Sequence, residues 1–196
     1  MISLYTLFWF MVVFFGLIGM LRGWTKEIIA TSGLVLSLFA QLWFGNLLVG
    51  LFGSSPGGLT EEAMRTHFFV RSAAHILFAF FAYQGPTLVR QVSGGRFGER
   101  TRGSVEEAVL GFIVGAINGY LLVGAVWSFL ECHIVDRMTI TCNPLGYYPF
   151  PADIISRPLS GEPAYALLQK LPFPMLQGWL PLLMVVLFLF VIVAMI

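Results

Sequence analysis

Charge is what this sequence has least of. Its 196 residues include eleven Lys or Arg and ten Asp or Glu, 11% in all, where soluble domains carry about 25%. The net charge of +1 leaves no overall field to recruit nucleic acid. Two cysteines are too few for a disulfide framework or an iron–sulfur site. The N-terminus shows neither a basic leader nor a small-residue cleavage signature, so no signal peptide is read there. Catalytic signatures are equally scarce. The chain has no nucleophile elbow, no phosphate loop and no His-Glu-x-x-His. Asp153 and Glu162 lie in a proline-rich stretch with no base or nucleophile beside them. The chain is read as non-enzymatic, with no cofactor required.

Apolar residues are what it has in abundance. Hydrophobic side chains make up 58% and the mean hydropathy is +0.85. A helix of about 20 apolar residues spans the hydrocarbon slab of roughly 30 Å. Met1 to Leu21 and Ile28 to Phe52 are two uncharged runs back to back, too much apolar chain for one small soluble core. The polar turn between them, with Arg22, Lys26 and Glu27, is placed where water begins. Further helices are expected over about His67 to Val89, kinked or ended near its close by Gly85-Pro86, and from a capping box at Ser104 to Glu107 as far as Leu130. Glu131 to Met175 is the one long segment outside the membrane and holds seven of the ten prolines. A short surface helix is expected near Glu162 to Leu171, and a last apolar helix over Leu176 to Ile196. The expected fold is an all-α bundle of about five transmembrane helices. Residues 1–130 form a four-helix membrane domain, 131–175 an outward proline-rich segment, and 176–196 the fifth span.

Orientation follows the basic residues. Arg22, Lys26, Arg90, Arg96, Arg100 and Arg102 fall on one side in short turns; Arg65, Arg71, Arg137, Arg157 and Lys170 fall on the other, spread over longer segments. This count puts the N-terminus outside and the C-terminus in the cytoplasm.

Three side-chain patterns stand out. Gly111, Gly115 and Gly119 share one helix face, and Gly33, Ser37, Gln41 and Gly45 share another. Small residues let membrane helices approach closely, so both faces are expected against neighbouring helices or each other. His67, Arg71 and His75 also lie four apart. A charge within a membrane usually has a partner, and Glu131 is at the right depth for Arg71. His75 is the candidate for a proton, ion or cofactor site; the alternative is a histidine hydrogen-bonded to a neighbour beside a paired Arg71. Cys132 and Cys142, ten positions apart, form a disulfide if they face an oxidising compartment. Free thiols, or a metal held with His133 and Asp136, are the alternatives.

Gly19, Arg22, Gly23, Glu27 and Gly33 form a Gly-x-x-Arg-Gly-x-x-x-Glu turn followed by an early helical glycine. With the run Gly111, Gly115, Gly119 they resemble the colicin V production protein (CvpA) family over about Met1 to Leu130. The approach to the glycine helix departs from that pattern, since Glu106-Glu107 stands where a basic stretch is usual. The resemblance implies a non-enzymatic bacterial inner-membrane protein linked to toxin export and envelope maintenance, and it carries no active-site residues. The turn is echoed by Arg102-Gly103-Ser104-Val105-Glu106-Glu107. On this reading the partners are the lipid bilayer and other membrane proteins, in a homo-oligomer or a hetero-complex. An accessory subunit of a larger respiratory or photosynthetic complex would instead present aromatic faces to lipid, quinone or pigment. A small transporter or channel would rely on Ser37, Gln41, His75 and Asn118.

Overall fold

The computed structural model describes residues 3–53, 60–92, 105–136, 139–143 and 145–195. Four long helices come first: α1 (Leu4–Arg22), α2 (Trp24–Leu51), α3 (Glu61–Val92) and α4 (Val105–Glu131). A two-stranded hairpin follows, β1 (Cys132–Asp136) antiparallel to β2 (Thr139–Cys142). Two short helices, α5 (Pro163–Leu168) and α6 (Pro172–Leu176), then lead into α7 (Leu180–Met195).

The Ser3 hydroxyl caps α1 by accepting from the Thr6 amide at 3.1 Å. The helix ends at Gly23, whose φ of +88° is a conformation that side chains disfavour. That single residue is the whole joint, because α2 begins at Trp24. α1 lies along α4, and α2 packs on α3, α4 and α7.

α1, α2 and α4 are each long and apolar enough to cross a membrane, and the bent unit Pro163–Leu176 with Leu180–Leu189, broken by 64°, would make a fourth. The described helices therefore give three or four candidate spans rather than five. α3 is not among them, because its interior face carries His67, Arg71, Ser72 and His75. Its outer face is still apolar, with Phe69, Ile76, Leu77, Phe80 and Phe81 exposed. The last helix starts four residues later than expected. The stretch before it folds as α6, where Pro172 sits on Gly124 of α4; a Cβ at Gly124 would lie 2.7 Å from the proline ring.

Other expectations are also revised. α3 starts at Glu61 and runs through Gly85-Pro86 to Val92, so the glycine–proline pair does not end it. The expected surface helix is the shorter α5, which buries Ala164 and Leu168 against Phe8, Trp127 and Tyr148. The capping serine Ser104, the arginines Arg96, Arg100 and Arg102, and the first half of the repeated turn lie outside the described residues.

The two small-residue faces do not meet each other. Gly111, Gly115 and Gly119 face α1: Cβ atoms at Gly111 and Gly115 would come 2.4 Å from the carbonyl oxygens of Gly19 and Phe15, and one at Gly19 would meet the Gly111 oxygen at 2.2 Å. The contact is backbone on backbone, where no side chain can give way. The α2 face lies on α3 instead, with a Cβ at Gly33 only 2.3 Å from that of Ala82. Leu34, Leu38, Leu42, Leu121, Phe129 and Phe173 form the principal apolar core between α2, α4 and α6.

Candidate functional site

Two polar centres are built into this apolar bundle. The first grows from the α1–α2 turn. Glu27 is fully buried, one turn into α2. Arg22 donates to Glu27 Oε1 at 2.6 Å, and its other Nη donates to the Tyr83 carbonyl at 3.0 Å. Asn118 Nδ2 donates to Glu27 Oε2 at 2.8 Å and to the Glu27 carbonyl at 2.9 Å. The Tyr83 hydroxyl donates to Oε2 at 3.2 Å, and Thr31 donates to Asn118 Oδ1 at 2.6 Å. One carboxylate thus ties α1, α2, α3 and α4 together, with its charge met and both oxygens used. Taking an ion pair out of water is compensated only when geometry and extra hydrogen bonds are good, and here both are.

The second centre lies between α2 and α3 toward the hairpin. The helices are antiparallel, so Ser37, Gln41 and Gly45 rise along α2 as His75, Arg71 and His67 descend α3. Ser37 Oγ lies 2.8 Å from His75 Nδ1. A Cβ at Gly45 would come 3.6 Å from Arg71 Nη2 and 3.7 Å from Nε. β1 closes the column, with the His133 ring centroid 6.1 Å from that of His67. Gln41, His67, Arg71, Ser72, His75 and His133 are all buried.

Arg71 does not pair with Glu131. Arg157, from the proline-rich segment, takes that carboxylate with contacts of 2.6, 3.1 and 3.1 Å and is itself held above its usual pKa by it. The Arg71 guanidinium carbon sits instead over Phe129 at 5.0 Å and Phe173 at 4.9 Å. Each such contact is worth about 2 kcal/mol when desolvated. The burial penalty for a lone charge is several kcal/mol, and each unmet donor adds about 1–3 kcal/mol. Arg71 Nε and both Nη make no hydrogen bond, nor do Gln41 Nε2 and Oε1, Ser72 Oγ, His75 Nε2 or either ring nitrogen of His133. The two rings therefore offset part of the cost and leave the rest. Burial, with the Arg71 charge and then His67 adding, pushes the His133 imidazole down to about 4.

Cys132 and Cys142 form a disulfide directly across the hairpin, where they are register partners. Trp127 donates to the Tyr148 hydroxyl at 3.0 Å, and Arg65 Nε donates to the Pro149 carbonyl, which ties α3 to the proline-rich segment. No group of three or more His, Cys, Asp or Glu suited to a metal ion occurs among the described residues.

The profile of the colicin V production protein family matches residues 6–139, more than half of the chain. This chain belongs to the colicin V production protein family. Comparison with characterised proteins and with solved structures gives no match. The motif residues of the colicin V production turn now have separate physical roles. Gly19 admits the backbone of α4, Gly23 turns the chain, and Arg22 and Glu27 pair at 2.6 Å. Gly33 belongs to the contact with α3. The sequence pattern had not brought Asn118 or Tyr83 to Glu27, since they stand 91 and 56 positions away. Nor had it brought His133 to Arg71. Gln41 was visible on the α2 stripe and among the polar groups a transporter would use, but not as a neighbour of Arg71.

Proposed function

We propose that the chain is a non-enzymatic membrane protein of the bacterial inner membrane, serving export or envelope maintenance through helix–helix contacts with other membrane proteins. The observation that carries this reading is the one-sided burial of α1. It buries only Phe8, Val12, Gly16 and Gly19, against α4, and leaves Trp9, Phe10, Val13, Phe14 and Leu17 exposed. An apolar face of that breadth suits lipid or the helices of a partner. The proline-rich segment with its disulfide is placed outside, in the oxidising compartment, with the N-terminus outside and the C-terminus cytoplasmic.

The test is cross-linking from a photoreactive residue at Phe10 or Phe14 in native membranes, followed by purification in mild detergent. Discrete protein adducts that vanish when the probe is moved to buried Val12 support the contact role. Recovery only as a stoichiometric subunit of a respiratory or photosynthetic assembly would replace it. A maleimide that labels a cysteine placed at Glu162 only after the membrane is breached would reverse the orientation.

A further inference from the structure

The column around Arg71 holds a buried charge that no described counter-charge meets. Arg71 is 1% exposed and carries a positive charge, and its Nε, Nη1 and Nη2 make no hydrogen bond. Among the described residues the two buried carboxylates are engaged elsewhere, Glu27 by Arg22 and Glu131 by Arg157. The neutral groups that line the column are unpartnered too: the Gln41 amide from α2, with both its nitrogen and its oxygen free, the Ser72 hydroxyl from α3, and His133 from β1. Gly45 keeps a side chain away from one edge of the guanidinium. A Cβ there would stand 3.2 Å from Ile134 Cδ1, 3.6 Å from Nη2 and 3.7 Å from Nε, the last two being the nitrogens that form the fork with which arginine grips anions.

We propose that this column binds a small monovalent anion of halide size, held on the Nε/Nη2 edge of Arg71 beside Gly45. The charge sets the valence: the Arg71 guanidinium brings +1, which a single monoanion cancels. Water would meet the donors but leave the charge buried and unbalanced. Enclosure sets the size. Gln41, His75 and His133 are each 3% exposed or less, and Phe129, Ile134 and Phe173 shut the column with fully apolar surface, so a headgroup or a peptide carboxylate has no way in without parting α2 from α3. The aromatic contacts to Phe129 and Phe173 position the arginine, and the anion supplies the negative charge that no described side chain brings to it.

The probe is bromide, titrated calorimetrically into the purified full-length chain in detergent, with thermal unfolding compared in sodium bromide and sodium gluconate at equal ionic strength. The expected result is saturable binding of one bromide per chain and a higher Tm in bromide, as linkage requires of a ligand bound to the folded state alone. Arg71→Met, which removes the charge and keeps the volume, is expected to weaken bromide binding by roughly tenfold or more and to erase the difference between the two salts. Gly45→Ala retains the charge and fills the edge, and is expected to weaken binding by roughly tenfold as well. Equal Tm in both salts with no saturable heat in the unmodified chain would overturn the proposal, and so would wild-type affinity in Arg71→Met. Should Arg71→Met fail to fold, wild-type bromide affinity in Gly45→Ala overturns it.

Discussion

Glu27 and Arg71 are both buried charges in the same four-helix bundle, and their surroundings are opposite. Glu27 is met by an arginine, an asparagine and a tyrosine from three different helices. Arg71 is met by two phenyl rings and no acceptor. The first arrangement is self-sufficient: each group satisfies another, and removing any one strands the rest. The second is unfinished from the protein's side. The bundle assembles one complete network and leaves a second open, so the two places differ in what each charge meets. The closed network serves assembly. The open one faces the hairpin and the proline-rich segment, which are held there by the disulfide and by Arg157 on Glu131.

The largest expected effect breaks the closed side. Glu27→Leu strands Arg22, Asn118 and the Tyr83 hydroxyl, and should destabilise the protein by about 3–5 kcal/mol, the usual cost of removing one partner of a buried pair. Chemical or thermal unfolding in detergent reads this, and a loss below about 1 kcal/mol would mean the network is ornamental. Acid should then separate the two centres. His133 titrates near 4 in the folded chain against about 6.5 unfolded. Its neutral folded form favours the unfolded state's protons, so stability is full above about pH 6.5 and falls as the pH drops toward 4, by up to about 3 kcal/mol. His133→Phe should flatten that slope, whereas a variant of the Glu27 network should leave it in place. Reduction of Cys132–Cys142 removes a short closed loop and should cost about 2–3 kcal/mol. Hydrogen exchange should show the loosening at the hairpin and around Arg71 before it reaches Glu27. The smallest effect has the opposite sign. In gluconate, Arg71→Met replaces an uncompensated buried charge with an apolar side chain of similar volume, and should leave stability unchanged or raise it by about 1–2 kcal/mol. A loss as large as that of Glu27→Leu would show that the two centres are alike after all.

The sequence reading found the right residues more often than the right neighbours. The turn Gly19 to Glu27 was legible because its pattern is local. Glycine at a turn, arginine five positions before a glutamate and an apolar run on either side need no knowledge of the rest of the chain. The disulfide was legible because two cysteines ten positions apart leave few options. The Arg71–Glu131 pairing failed because depth alone cannot rank partners. Arg157 reaches Glu131 from a loop whose path no periodicity predicts. The α2 and α4 stripes are both packing faces, yet each meets a different helix, since a row of small residues specifies close approach and not the identity of what approaches.

What the sequence by itself determined is the solvent and the alphabet of contacts. Its scarcity of charge and its long apolar runs require burial in lipid or protein, and its glycines at four-residue spacing require tight helical seams. These follow from hydropathy and helix period, which act over twenty residues or fewer. Only the tertiary structure decided that Glu27 would be satisfied and Arg71 would not, because that depends on which side chains from distant helices, the hairpin and the proline-rich segment arrive at each charge. A buried charge is judged by its neighbours, and neighbours are set by packing in three dimensions.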